Sequence, residues 1–169
     1  MDLINLFFSL KLVHIGALIF WLGPSLGAWF VLLAMRKQQG EFTPATHLVY
    51  RIFIKMLILE HIAFVVLLAT GIGMIACLYD HAAPWLQWKL LIVFAVIVPL
   101  EIADIWYGNI KLPQIFSTFN QHGYDEQHSK ILFTYHRYVT GAAIVIIPLS
   151  VLAIMWLVIA KPGLSPIWQ

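Results

Sequence analysis

Leu10–Met35, LKLVHIGALIFWLGPSLGAWFVLLAM, decides the fold of this chain. An α-helix rises about 1.5 Å per residue, and about 20 apolar residues cross the hydrocarbon of a bilayer. A helix over 4–35 therefore spans a membrane with some tilt, carrying a histidine inside it. Counted at 100° per residue, His14, Leu18, Trp21 and Ser25 fall on one stripe of that helix. Gly16, Phe20, Gly23 and Gly27 fall on the nearly opposite one. Glycines at that spacing predict the close approach of a neighbouring backbone. The His14 stripe predicts a site, with a polar nitrogen beside a large flat aromatic.

The rest of the composition agrees with a membrane setting. Of 169 residues, 62% are hydrophobic and 11% charged, and the mean hydropathy is +0.88. Soluble domains are far more polar, so the chain is an integral membrane protein. Its N-terminal run exceeds the roughly 7–15 apolar residues of a signal peptide and follows no basic segment, which predicts a retained helix. Cys77 is the single cysteine, which excludes an intramolecular disulfide and any multi-cysteine metal cluster. Ten Lys and Arg spread over the loops, with a net charge of +2, exclude nucleic acid as a partner.

Three further apolar runs follow, at about 47–78, 85–110 and 131–160. Polar, Gly- and Pro-punctuated stretches separate them, at 36–46, 80–84 and 114–129, the last with room for a short surface helix. The fold class predicted is all-α, a polytopic four-transmembrane-helix up-down bundle forming one domain over 1–169. Arg36, Lys37, Arg51 and Lys55 flank the first loop, and Lys111, Lys130 and Arg137 the third. The other side carries Lys11, Lys89 and Lys161. Short cytoplasmic loops hold the excess of Lys and Arg, which predicts a bacterial inner-membrane protein with both termini outside. Trp85, Trp88 and Trp168 are placed at the outer interface.

Ionisable groups within spans cost about 2.5–3.5 kcal/mol at the helix centre on insertion scales and mark a function or a buried pair. Here they are His14, Glu60, His61, Lys89, Glu101 and Asp104, with Arg51, Lys55, His136 and Arg137 nearer the cytoplasmic ends. The structural reading pairs Glu101 and Asp104, three residues apart on one helix face, with Arg51, Lys55 or Arg137. The functional reading starts from the imidazoles, since neutral histidine is a common metal ligand and the usual axial ligand of haem iron. His14 and His61 are the candidate metal ligands, although their depths differ by on the order of 10 Å of helix. Two bis-histidine haems would need four histidines at the spans. Only His14, His61 and His136 qualify, so at most one such haem fits. The five methionines are unclustered, and there is no phosphate loop or nucleotide fingerprint. Lys89, one turn into the third run, either snorkels to the interface or clamps an anionic group near His14.

With these residues placed, a resemblance is visible in Leu10-x-x-x-His14, Trp21-Leu-Gly23, Tyr50-Arg51, Trp85-x-x-Trp88-Lys89-Leu90 and Lys161-Pro162. The chain resembles the superfamily of small four-helix membrane proteins that includes HemJ-type protoporphyrinogen oxidases, CopD-type copper-resistance proteins and an uncharacterised relative. In the HemJ branch a first-span histidine and a third-span lysine are the functional pair, with haem b bound. The resemblance thus implies haem b, with His14 as a cofactor-binding residue and Lys89 as the catalytic one; the reading of the spans adds His61 as a second candidate ligand and Trp21, on the His14 stripe, as a cofactor-binding residue. The chain departs from that branch at Pro99-Leu-Glu101 and at Tyr138-Val-Thr140-Gly141-Ala142, and its Trp21–Gly27 stretch is more similar to the uncharacterised relative. The expectation is a haem b-binding redox protein with a quinone or porphyrin partner, alone, as a homo-oligomer or in a larger membrane complex. The alternative is a non-catalytic carrier or accessory subunit without haem.

Overall fold

The computed structural model describes residues 3–78, 83–122 and 126–162. Among them, helices long and apolar enough to cross a membrane run Leu3–Gln39, Pro44–Cys77, Pro84–Ser117 and Glu126–Ala160. The fold is the all-α four-span arrangement, with no strand among the described residues. The helices outrun the hydrocarbon. The third continues past Lys111-Leu-Pro113 and the fourth begins at Glu126, so the polar stretch between them is largely helix. The turn at Asp80, His81 and Trp168 lie outside the described residues.

The first span is two helices, α1 (Leu3–Leu22) and α2 (Pro24–Gln39), broken at Gly23. Pro24 has no N–H to donate and is tolerated only in the first turn of a helix, so it starts a new one. Gly40, at φ +87°, ends α2 and returns its N–H to the Arg36 carbonyl; that left-handed φ favours glycine. The second span is α3 (Pro44–Leu78), capped by the Thr43 hydroxyl, which accepts the Thr46 N–H at 3.2 Å.

The third span is α4 (Pro84–Ile92), α5 (Val98–Asp104) and α6 (Leu112–His122), joined by π-helical turns at Val93–Ile97 and Ile105–Lys111. The first π turn directly precedes Pro99, which cannot donate to the Ala95 carbonyl. The fourth span is α7 (Glu126–Thr134) and α8 (Gly141–Ala160), joined by a π turn at Tyr135–Thr140. Such turns concentrate at functional sites.

The first span packs mainly along α3, and the third span packs on α3 and on the fourth span. Little direct packing joins the first span to the fourth, which leaves a seam. At the end holding Arg36, a core of Trp29, Tyr50, Phe53, Leu112, Leu132 and Tyr135 closes the bundle. Nearer the middle, Trp21, Ala63, Phe64, Ile97 and Ile147 form a second cluster.

One sequence expectation is corrected at this level. Gly16 and Gly27 have open space where a Cβ would stand, and Gly23 faces its own helix, so that glycine face is not where helices meet. The close approaches are at Gly71, where a Cβ would stand 3.3 Å from His14 Cε1, at Gly73 against Leu10, and at Gly108 against Leu57 and the Tyr135 hydroxyl. Trp85, at the start of α4, is buried against the bundle, with Lys161 Nζ 5.9 Å from its ring centre; Trp88 is exposed.

Candidate functional site

Two cavities lie along the seam, and Trp21 lines both. The first, of about 350 Å³, is at the end of the bundle where α1 begins and is apolar except for Lys11, His14 and Lys89. That volume is in the range of small-molecule sites, roughly 300–1,000 Å³. The His14 stripe does face inward. Lys11 joins His14 from one turn away on the same helix face, and Lys89 arrives from α4. Lys89 and His14 are close enough for their charges to interact.

The His14 ring is fixed by α3. Its Nδ1 is 3.0 Å from Thr70 Oγ1, and that hydroxyl also lies 2.7 Å from the Val66 carbonyl and 3.1 Å from that of Leu67. A hydroxyl has one proton, which goes to a carbonyl, so Oγ1 accepts from His14 Nδ1–H. The neutral ring then keeps its lone pair on Nε2, the arrangement in which a histidine binds a metal or takes a proton.

His61 is elsewhere. His14 meets Thr70, nine residues further along α3 and so about 13 Å of helix from His61. The two histidines cannot flank one iron. His61 Nε2–H donates to Asp104 Oδ2 at 3.1 Å, and Nδ1 accepts from Asn109 Nδ2 at 2.8 Å. Both ring nitrogens of His61 are engaged within the bundle, by Asp104 and Asn109. The π turn Ile105–Lys111 is what delivers Asn109 to that ring.

The partners expected for Glu101 and Asp104 are corrected too. No ion pair joins them to Arg51, Lys55 or Arg137 among the described residues. They converge instead on His61 Nε2, at 3.8 Å and 3.1 Å. Trp21 Nε1–H donates to Glu101 Oε1 at 3.0 Å, and the Trp21 ring packs on Phe64 with centroids 5.5 Å apart. Trp21 is thus the wall between the cavities.

The second cavity, of about 230 Å³, is lined by Ser25, Glu60, Glu101, Asp104, Tyr135 and Thr140 among apolar side chains. Glu60, whose sequence position gave no role, sits beside Ser25 and within electrostatic reach of Glu101 and Asp104. Beyond it, toward Arg36, a polar chain leads outward. His136 Nε2 is 2.7 Å from the Tyr50 hydroxyl, Tyr50 reaches Glu41 at 3.3 Å, and Glu41 pairs with Arg36 at 2.6 Å. The His136 ring packs on Trp29, centroids 4.8 Å apart. Thr70, Asn109, Trp29 and Tyr50 were not singled out for chemistry in the sequence, because a lone Thr, Asn or aromatic in an apolar run carries no periodic signal. Lys11 had one, its i, i+3 spacing from His14.

No group of His, Cys, Asp and Glu among the described residues is arranged to hold a metal ion by itself. A family model described as "Predicted integral membrane protein (DUF2269)" matches residues 8–162. No curated protein and no solved structure matches the chain.

Proposed function

As the chain belongs to the predicted integral membrane protein family DUF2269, we propose that it is a redox protein of the bacterial inner membrane that binds haem b in the cavity of His14, Lys11 and Lys89. Its partner there is a porphyrin or a quinone. The observation that carries this reading is the meeting of one conformationally fixed imidazole and two lysines in an otherwise apolar cavity open to the lipid-facing seam. That is the chemistry of a flat apolar ligand with anionic edges. His14 Nε2 would hold the iron, as the histidine that lines this cavity, and the lysine ammonium groups would pair with propionates. Haem b, when bound, supplies one-electron chemistry. The chain's part is to orient the ring by Thr70, exclude water with Trp21, Phe64 and Trp85, and set the local charge with Lys89.

With the Arg36 end taken as cytoplasmic, this cavity opens on the outer half of the membrane. A carrier or accessory subunit without haem is the second reading, favoured by the separate polar cavity around Glu60 and Glu101. Protein purified in mild detergent and titrated with haem b separates the two. A saturable change in the Soret band, lost in His14→Ala and retained with a shifted potential in Lys89→Ala, supports the redox reading. Absence of that change, or an unaltered spectrum in His14→Ala, refutes it.

A further inference from the structure

The second cavity holds a conflict that the redox reading does not use. Glu60 from α3 and Glu101 and Asp104 from α5 are all at least nine-tenths buried at mid-membrane depth. Glu60 Oε2 and Glu101 Oε2 are fully enclosed, line the cavity and have no hydrogen-bond partner. The groups around them are Trp21 and Ser25 from the first span, His61 from α3, Asn109 from the third span, and Tyr135 and Thr140 from the fourth. None is a lysine or arginine. His61 has both ring nitrogens engaged, Nδ1 with Asn109 and Nε2 with Asp104, and leaves Glu60 Oε2 and Glu101 Oε2 without a hydrogen bond. Three ionised carboxylates around one imidazole are untenable in a medium that penalises each uncompensated charge by several kcal/mol. Carboxyl groups this close share protons instead, as coupled titrating groups do.

We propose that Glu60, Glu101 and Asp104 form a proton-binding site within the membrane, which exchanges protons with the Arg36 end through Tyr135 and His136. The exit follows polar side chains of the fourth span. The Tyr135 hydroxyl is within electrostatic reach of Asp104 and is enclosed without a hydrogen-bond partner, as is Thr140 Oγ1. His136 follows on the same π turn, its ring 5.1 Å from that of Tyr135, with Nδ1 enclosed and unpartnered. Its Nε2 meets Tyr50, and Tyr50 leads to the partly exposed Glu41–Arg36 pair. Each transfer moves one proton from a carboxylic acid or hydroxyl to the next oxygen or nitrogen while another proton replaces it, and no other bond changes. A dehydrated cation is the rival occupant, and the described residues hold no group of three His, Cys, Asp or Glu side chains arranged for one. The site stands whether or not the outer cavity holds haem.

Infrared spectroscopy of the full chain in lipid vesicles tests this. The wild type at neutral pH shows a protonated carboxyl C=O band that downshifts when the buffer is exchanged for D2O. Glu60→Gln and Glu101→Gln each lose part of that band, and Tyr135→Phe, which keeps the ring volume, keeps the band but slows its downshift. The wild-type measurement needs no variant to fold. The proposal is overturned by a wild type without such a band, by a band unchanged in both Gln variants, or by one that sodium removes at constant pH. Exchange at the wild-type rate in Tyr135→Phe overturns the exit.

Discussion

The bond from Trp21 Nε1–H to Glu101 Oε1 joins the wall shared by the two cavities to the inner one, and its strength can be measured. The donor is 2% exposed, the acceptor 2%, and the separation 3.0 Å. Side-chain hydrogen bonds between membrane helices average about 0.6 kcal/mol and reach about 1.7. Bonds to charged groups in proteins contribute about 1.5–3 kcal/mol. A fully enclosed carboxyl acceptor places this bond at the upper end of the membrane range, so its coupling energy is about 1.5 kcal/mol. Trp21→Phe alone costs more than that, because the smaller ring also opens a gap beside Phe64. A double-mutant cycle of Trp21→Phe and Glu101→Met removes that packing term, since it appears on both sides of the cycle. Unfolding in mixed micelles, followed by far-ultraviolet circular dichroism so that the lost tryptophan does not alter the readout, supplies the free energies. A coupling below about 0.5 kcal/mol, the scatter of independent sites, refutes the bond as a link between the cavities.

Gly108→Ala puts a Cβ 2.8 Å from Leu57 Cδ1 and 3.3 Å from the Tyr135 hydroxyl, and overpacking of this kind costs about 1–3 kcal/mol in the same unfolding assay. Adding Leu57→Val recovers part of the loss, since Cδ1 is the nearest obstacle. Tyr50→Phe leaves His136 with neither ring nitrogen bonded, because Nδ1 already lacks a partner, and lowers stability by about 1–3 kcal/mol. For topology, an alkaline phosphatase fused after Lys161 is active and one fused within 114–129 is inactive; the reverse pattern inverts the orientation.

What the sequence made legible follows from how membrane helices are built. Hydropathy over some twenty residues sets each span, and the depth of a group follows from counting along it. Depth alone separates His14 from His61, and the structure keeps them apart. Which side of a helix faces protein is harder, because lipid is as apolar as a neighbouring helix. A polar group breaks that symmetry, so the stripe of His14, Trp21 and Ser25 was correctly turned inward. Glycines carry no such mark. Gly16, Gly23 and Gly27 read as a contact face and are not one, whereas Gly71 and Gly108 take their role from the side chains opposite them.

Rotation about the helix axis is also where the acidic residues went wrong. A π turn adds a residue to the helical repeat and so rotates everything after it relative to a uniform 100° count. Lys89 precedes the first such turn, at Val93–Ile97, and its expected nearness to His14 is what the structure contains. Glu101 and Asp104 follow that turn, and Arg137 lies within another, at Tyr135–Thr140. Depth along a helix does not carry that rotation, so it pairs Glu101 and Asp104 with Arg51, Lys55 or Arg137. The carboxylates turn instead toward His61, which uses its Nε2–H on one of them. Glu101 and Asp104, with Glu60 beside them, therefore meet one imidazole where the sequence predicts a lysine or arginine opposite at least one of the pair, and it is this deficit of positive charge that makes the inner cavity a place for protons.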